Sequence, residues 1–143
     1  MTTSGRPARI LLVEDNPADV KLVQMALEEA ESTSELIVIP DGEQALAFFN
    51  RLRSGLEPRP DLVFLDLNLP RVGGLEVLVV VKSEPALSAL PVIVFSTSRA
   101  DTDVRAAYAA GANSYVTKPM DYHRFMAVVR QLDSYWTGLV QLP

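Results

Sequence analysis

Ile10-Leu11-Leu12-Val13-Glu14-Asp15-Asn16-Pro17 places a strand, a polar edge and a helix start in one short run. A brief continuous apolar stretch reads as a strand buried on both faces. Asn16 is a favoured N-cap residue, and Pro17 suits the first helical position. Asp19 adds an acid to the first turn, and Val20, Val23, Leu27 and Ala30 then fall on one helical face. The strand hands directly to a helix and leaves two carboxylates at the junction.

The same order recurs along the chain. Leu36–Ile39, Leu62–Leu65 and Val92–Phe95 are further apolar runs, and Ser114–Thr117 is a weaker fifth strand. Asp41 followed by Gln44 starts a second helix in the manner of a capping box, with Ala45, Leu46, Phe49 and Leu52 on its inner face. Gly74 to Lys82 forms a third helix, and Asp101 to Ala110 a fourth that Gly111 is placed to end. Asp121 caps a fifth, with Phe125, Val128, Val129 and Leu132 facing inward. Strand and helix alternating five times predicts an α/β fold, a five-stranded parallel sheet covered on both faces. The doubly wound, flavodoxin-like strand order 2-1-3-4-5 suits that pattern.

Composition narrows the function. A length of 143 residues fits one domain, and 48% hydrophobic with 22% charged residues is ordinary globular usage. With no cysteine, disulfides, thiolate metal sites and cysteine nucleophiles are excluded, and a reducing compartment is the simple reading. A net charge of −5 without a basic stripe argues against direct nucleic-acid binding. Met1 to Arg9 carries no apolar signal run, and no apolar stretch approaches the roughly 18 residues of a membrane span. The expected location is the cytoplasm, away from the membrane.

In open α/β sheets, ligands sit at the carboxyl ends of strands where the order reverses. The first strand runs into Glu14-Asp15, the third into Asp66, the fourth into Ser96-Thr97-Ser98 and the fifth into Lys118-Pro119. Three converging carboxylates repel, so at least one pKa should rise unless something compensates. A hard divalent cation does so: Mg²⁺ prefers oxygen ligands. Asp15 and Asp66 then serve as direct ligands, Glu14 acts through water, and the backbone carbonyl of Asn68 is a further ligand. A metal-bound carboxylate beside a lysine and a hydroxyl points to phosphoryl chemistry. In such chemistry an Asp carboxylate can serve as nucleophile, with the metal and Lys118 neutralising charge and Ser96 placed to hydrogen-bond a phosphoryl oxygen.

The ordered set Leu12-Val13-Glu14-Asp15-Asn16, Leu65-Asp66-Leu67-Asn68-Leu69-Pro70, Gly73-Gly74, Ser96-Thr97-Ser98 and Lys118-Pro119 resembles the receiver domain of bacterial response regulators. The spacing agrees, with 30 residues from Asp66 to Ser96 and 22 more to Lys118. The likeness covers residues 9–134, leaving residues 1–8 as a disordered lead and residues 135–143 as an apolar tail. It implies that Asp66 is the phosphoacceptor, that Glu14 and Asp15 are the acidic pair for Mg²⁺ (or Mn²⁺), and that Lys118 pairs with the phosphate. Ser96 and Tyr115 match the switch positions. Asn68 and Ser98 match positions that tune autodephosphorylation. Lys118-Pro119 matches a bond that is usually cis in the family. Thr97 departs from the small residue usual after the switch hydroxyl, and its bulk is expected to narrow phosphate access. His123 is expected to be an exposed helix residue without a phosphoryl role.

The resemblance implies a regulator rather than an enzyme, phosphorylated by a sensor histidine kinase and dephosphorylating itself at Asp66. The chain ends soon after the fifth helix, so output is expected through partner binding or dimerisation, or as a relay that hands phosphate to another histidine protein. The tail Tyr135–Pro143 is expected to fold back on its own domain or to pack on a second copy. With Asn16-Pro17-Ala18-Asp19, it resembles single-domain receivers that partner a bacteriophytochrome or related kinase, which are typically homodimers. A haloacid dehalogenase-type phosphatase also uses Asp, Mg²⁺ and Lys. Its nucleophile follows the first strand in an Asp-x-Asp arrangement, whereas Asp66 follows the third strand. A scaffold with a decayed site fits poorly with a complete acidic set.

Overall fold

A computed structural model describes residues 6–143 of the chain. Five strands, β1 (Arg9–Val13), β2 (Glu35–Ile39), β3 (Leu62–Leu65), β4 (Val92–Ser96) and β5 (Ser114–Thr117), form one parallel sheet in the order 2-1-3-4-5. Five helices alternate with them: α1 (Pro17–Glu29), α2 (Gly42–Arg53), α3 (Gly74–Ser83), α4 (Asp101–Ala109) and α5 (Tyr122–Asp133). The fold is the doubly wound, flavodoxin-like one that the alternation predicts.

The helix starts follow the expected chemistry. Asn16 Oδ1 accepts from the N–H groups of Ala18 and Asp19 at 2.9 and 3.3 Å. Asp41 accepts from the Gln44 backbone at 2.7 Å and from the Gln44 amide at 2.8 Å. Asp121 accepts from Arg124 N–H at 3.1 Å. Gly111, at φ +106°, takes the left-handed turn beyond α4.

Strand residues alternate between two cores. Leu11, Val13, Val63, Leu65 and Val94 pack under α2, α3 and α4, against Phe48, Phe49, Leu78 and Ala107. Ile10, Leu12, Phe64, Ile93 and Phe95 pack under α1 and α5, against Val23, Ala26, Phe125 and Val129. On α5 the inner face is set by Phe125, Met126, Val129 and Asp133, with Val128 and Leu132 only partly buried.

Two polar anchors fix the connectors. Asp61 closes the α2–β3 loop: it accepts from Arg9 N–H at 2.8 Å and from both Arg6 guanidinium nitrogens at 2.8 Å. Lys82 donates to the carbonyls of Ser88 and Leu90 at 3.0 and 2.7 Å and to Asn113 Oδ1 at 3.0 Å. It thereby ties the α3–β4 connector to the start of β5.

Three expectations need adjustment. Residues 1–5 of the lead, expected to be disordered over residues 1–8, lie outside the described residues, and residues 6–8 are held. Arg6 pairs with Asp61, and Ala8 is buried with its carbonyl accepting from Glu35 N–H at 2.7 Å. The tail folds back in part. α5 continues as a π-helical segment over Ser134–Leu139, Trp136 packs on the α1/α5 core, and Thr137 Oγ1 donates to the Asp133 carbonyl at 2.6 Å. Tyr135 and Leu139 stay exposed. No cis peptide occurs among the described residues, so Lys118–Pro119 is trans, the isomer X–Pro bonds favour by about 0.5–1 kcal/mol.

Close packing of α2 sets one test. A Cβ on Gly42 would lie 1.8 Å from the Val72 carbonyl oxygen, whereas one on Gly138 meets nothing within 4 Å. Gly42→Ala should cost about 1–3 kcal/mol in urea unfolding, and Gly138→Ala about 0.5 kcal/mol or less.

Asp61 sets a second. Burial opposes its charge, but the hydrogen bonds from Arg6 and Arg9 prevail and hold its pKa below the ordinary value. A folded-state pKa below the unfolded one gives stability that is present above about pH 4 and lost as pH falls through the folded value. Asp61→Asn should cost about 1 kcal/mol at pH 7, a figure reduced for the half-exposed Arg6 partner. In thermal melts the gap from wild type should close below pH 4.

Candidate functional site

The register of the sheet brings the polar groups level. Val13 pairs with Leu65, and Asp66 N–H donates to the Val13 carbonyl at 3.1 Å, so the residues after β1 and β3 leave the sheet side by side. Lys118 N–H donates to the Ser96 carbonyl at 2.7 Å and extends the β4–β5 ladder in the same way. Short backbone turns then aim the carboxylates. Glu14 Oε2 accepts from Asn16 N–H at 3.1 Å, and Asp66 Oδ1 accepts from Asn68 N–H at 3.2 Å. Gly74 allows α3 to start against this loop, since a Cβ there would lie 2.1 Å from the Asp66 carbonyl oxygen.

One carboxylate oxygen from each of Glu14, Asp15 and Asp66 lies within 4.8 Å of the others. Glu14 and Asp66 are buried and Asp15 is exposed, so the group opens to solvent on one side. Lys118, only 4% exposed, reaches into it. Its Nζ donates to Glu14 Oε1 at 2.5 Å, Asp19 Oδ2 at 2.9 Å and Asp66 Oδ2 at 3.1 Å, which uses all three ammonium protons. The ring of Phe95 lies beside it, with 5.9 Å from Nζ to the ring centre.

The electrostatics follow from crowding. Burial pushes the Glu14 carboxyl up, the nearby Asp66 charge adds to this, and the Lys118 hydrogen bond opposes it, leaving a pKa of about 7. Burial pulls the Lys118 ammonium down, but its hydrogen bonds to Glu14 and Asp19 and the charge of Asp66 prevail and raise its pKa above the ordinary lysine value. The rise expected for one of three converging carboxylates falls on Glu14. Four carboxylates, Asp19 included, face one ammonium. Clustered hard oxygen donors with surplus negative charge fit a divalent cation.

The remaining predicted residues make their own contacts. Ser96 is fully buried, and its Oγ accepts from Ser98 N–H at 3.3 Å. Tyr115 is half-buried, and its hydroxyl donates to the Ser98 carbonyl at 2.9 Å. Ser98 Oγ bonds Asp103 at 2.5 Å and accepts from Ala100 N–H at 3.3 Å, so it fixes the start of α4. Thr97 and Asn68 are exposed. His123 is exposed and sits against Tyr122, with ring centres 4.4 Å apart. The sequence reading missed Asp19, taking it only as a helix-start acid. The available signal was its place one turn after Asp15, on the helix leaving the same sheet edge.

Among the described residues, Lys118 is the sole basic group hydrogen-bonded within the cluster. Lys118→Met should lower the stability of the metal-free protein by about 3 kcal/mol, because it leaves buried charge unpaired. Saturating divalent cation should recover more stability in this variant than in wild type, as read by urea unfolding with EDTA and with the cation.

Residues 10–130 match the family model described as response regulator receiver domain. The chain is 41% identical to the response regulator Rcp1 of Synechocystis over 98% of its length and 96% of that protein's. The crystal structure of the Mn²⁺-bound form of response regulator Rcp1 superposes with a TM-score of 0.89, covering 96% of this chain and 99% of that one. The structure of the phosphorylated cyanobacterial phytochrome response regulator RcpA matches at 37% identity with a TM-score of 0.90, again over 96% and 99% of the two chains. The bacteriophytochrome response regulator RtBRR matches at 40% identity with a TM-score of 0.72, covering 96% of this chain and 84% of that one. Among the described residues no helix is long and apolar enough to cross a membrane. The chain belongs to the response regulator receiver domain family.

Proposed function

We propose that this chain receives a phosphoryl group on Asp66 from a sensor histidine kinase and signals through the change that follows. The observation that carries this reading is the Asp66 carboxylate. It is held by Asn68 N–H, lies 3.1 Å from Lys118 Nζ, and clusters with Glu14 and Asp15. Mg²⁺, held by Glu14, Asp15, Asp66 and the Asn68 carbonyl, supplies charge neutralisation to the phosphoryl oxygens when bound.

An Asp66 carboxylate oxygen attacks the phosphorus of a phosphohistidine. The P–N bond breaks as the P–O bond forms, and the histidine leaves with the electron pair. Lys118 pairs with a phosphoryl oxygen in place of the Asp66 oxygen it now holds. Ser96 already receives Ser98 N–H on its oxygen, so its hydroxyl proton is available to the phosphoryl group. The new charge at the sheet edge draws Ser96 and Lys118 together. Tyr115 gives up its bond to the Ser98 carbonyl, and the β4–α4 loop shifts. Thr97, Asn68 and Ser98 set how readily donor and water reach Asp66.

The kinase partner in this reading is a bacteriophytochrome or a relative of one, in the cytoplasm. The names of RcpA and RtBRR support it. Output runs through partner binding or pairing of two copies. Exposed Tyr108, Met120, Tyr122 and Leu139 offer apolar surface for either.

Intact mass after incubation with Mg²⁺ and a small acyl phosphate, paired with size exclusion, tests the proposal. Wild type should gain one phosphoryl group, Asp66→Asn none, and EDTA added at the start should block the gain. No gain from either an acyl phosphate or a phosphorylated phytochrome kinase, with no NMR response to beryllofluoride, would contradict it.

A further inference from the structure

Of the three carboxylates that hold Lys118 Nζ, two also belong to the acidic cluster that fits a divalent cation, namely Glu14 and Asp66. An ammonium and a metal ion therefore draw on the same oxygens. Asp19, at 2.9 Å from Nζ, is among the described residues the one carboxylate partner of Nζ outside that cluster. Its side chain is 19% exposed and is carried by the first turn of α1. Asn16 fixes that turn by accepting from Asp19 N–H at 3.3 Å. The N–H groups of a helix start favour an anion there, so the carboxylate is in place before any ligand arrives.

We infer that Asp19 is a positioning residue that retains Lys118 at the site when a divalent cation draws on Glu14 and Asp66. This rests on the cation and phosphoryl reading of the site given above. Lys118 is almost fully buried, and a buried ammonium is costly without an anionic partner. An ion that engages Glu14 and Asp66 weakens two of its three hydrogen bonds and adds a positive charge close by. With Asp19 present, the ammonium keeps a full carboxylate partner and needs only a small displacement toward α1. Without it, Lys118 either stays on Glu14 and Asp66 and competes with the ion, or leaves the site where a phosphoryl oxygen needs it. Asp19 thus lets the two positive charges that phosphoryl transfer uses occupy one acidic pocket together.

The bland alternative makes Asp19 only a favourable helix-start charge. It predicts that Asp19→Asn lowers stability slightly and leaves cation affinity unchanged. A third possibility is that Asp19 attracts the ion directly, by its own charge or through water. Coupling to Lys118 separates these readings.

The experiment is a Mg²⁺ titration of the metal-free full chain followed by ¹H–¹⁵N NMR shifts, on wild type, Asp19→Asn, Asp19→Glu, Lys118→Met and the Asp19→Asn/Lys118→Met double variant. Asp19→Asn should weaken Mg²⁺ at least fivefold, and Asp19→Glu should hold it within twofold of wild type. In the Lys118→Met background, Asp19→Asn should change the affinity by no more than twofold. An equal loss in both backgrounds, or no loss in either, overturns the inference. The Asp19→Asn and Asp19→Glu results need no change at Lys118, so they can still overturn the inference if the Lys118→Met chain is poorly folded. A loss with Asp19→Glu as large as with Asp19→Asn also counts against it. If wild type itself binds no Mg²⁺, the cation reading of the site fails, and the inference falls with it. Binding by wild type without the coupling overturns the inference alone.

Discussion

One ammonium holds the carboxyl edge of the sheet together. Lys118 enters from the end of β5 and bonds carboxylates that follow β1, open α1 and follow β3. Without it, four carboxylates would face each other with two of them buried. The arrangement is therefore a site balanced by charge rather than a stable hydrophobic seam. It has surplus negative charge, one buried cation, and an open side where Asp15 meets solvent. Such a balance responds to any new charge, which is what a divalent ion and a phosphoryl group are.

The rest of the fold serves that edge. Parallel pairing in the order 2-1-3-4-5 brings β1 and β3 together at the centre, where both strands are covered by two helical layers. Their last residues, Val13 and Leu65, are thus held in buried strands. The loops beyond are short and hydrogen-bonded to themselves, through Asn16 N–H on Glu14 and Asn68 N–H on Asp66. Gly74 completes this by allowing α3 to touch the Asp66 backbone. The groups that the proposed reading moves sit on the other side. Ser96, Ser98 and Tyr115 are joined by single hydrogen bonds that can be exchanged, and α4 begins from Ser98 and Asp103 rather than from the core.

Much of this was legible in the chain itself. Short apolar runs marked β1, β3 and β4 because strands buried on both faces have few polar positions. The caps at Asn16, Asp41 and Asp121 were readable because each bonds backbone within three residues of itself. The convergence of Glu14, Asp15, Asp66 and Lys118 was readable from strand order. Contacts that depend on how a helix lies over the sheet were not legible. Asp19 reaches Lys118 only because α1 sits over that edge, and periodicity on one helix carries no such information. The same limit hid Asp61 and Lys82, whose partners are distant backbone groups. It also shifted the inner face of α5 toward Met126 and Asp133, since α1 packs alongside it. The tail was readable as apolar, but its helical continuation and the seat of Trp136 were not.

The claim on which the account turns is that Asp66, and no other carboxylate, takes the phosphoryl group. Borohydride reduction of the phosphorylated protein followed by tandem mass spectrometry tests it at residue level, because an aspartyl phosphate is reduced to homoserine. The tryptic peptide concerned carries both Asp61 and Asp66, so it contains its own control. The account predicts conversion at position 66 with Asp61, Glu14, Asp15 and Asp19 intact. Conversion at any of those four, or none in a chain that has gained the phosphoryl mass, would contradict it.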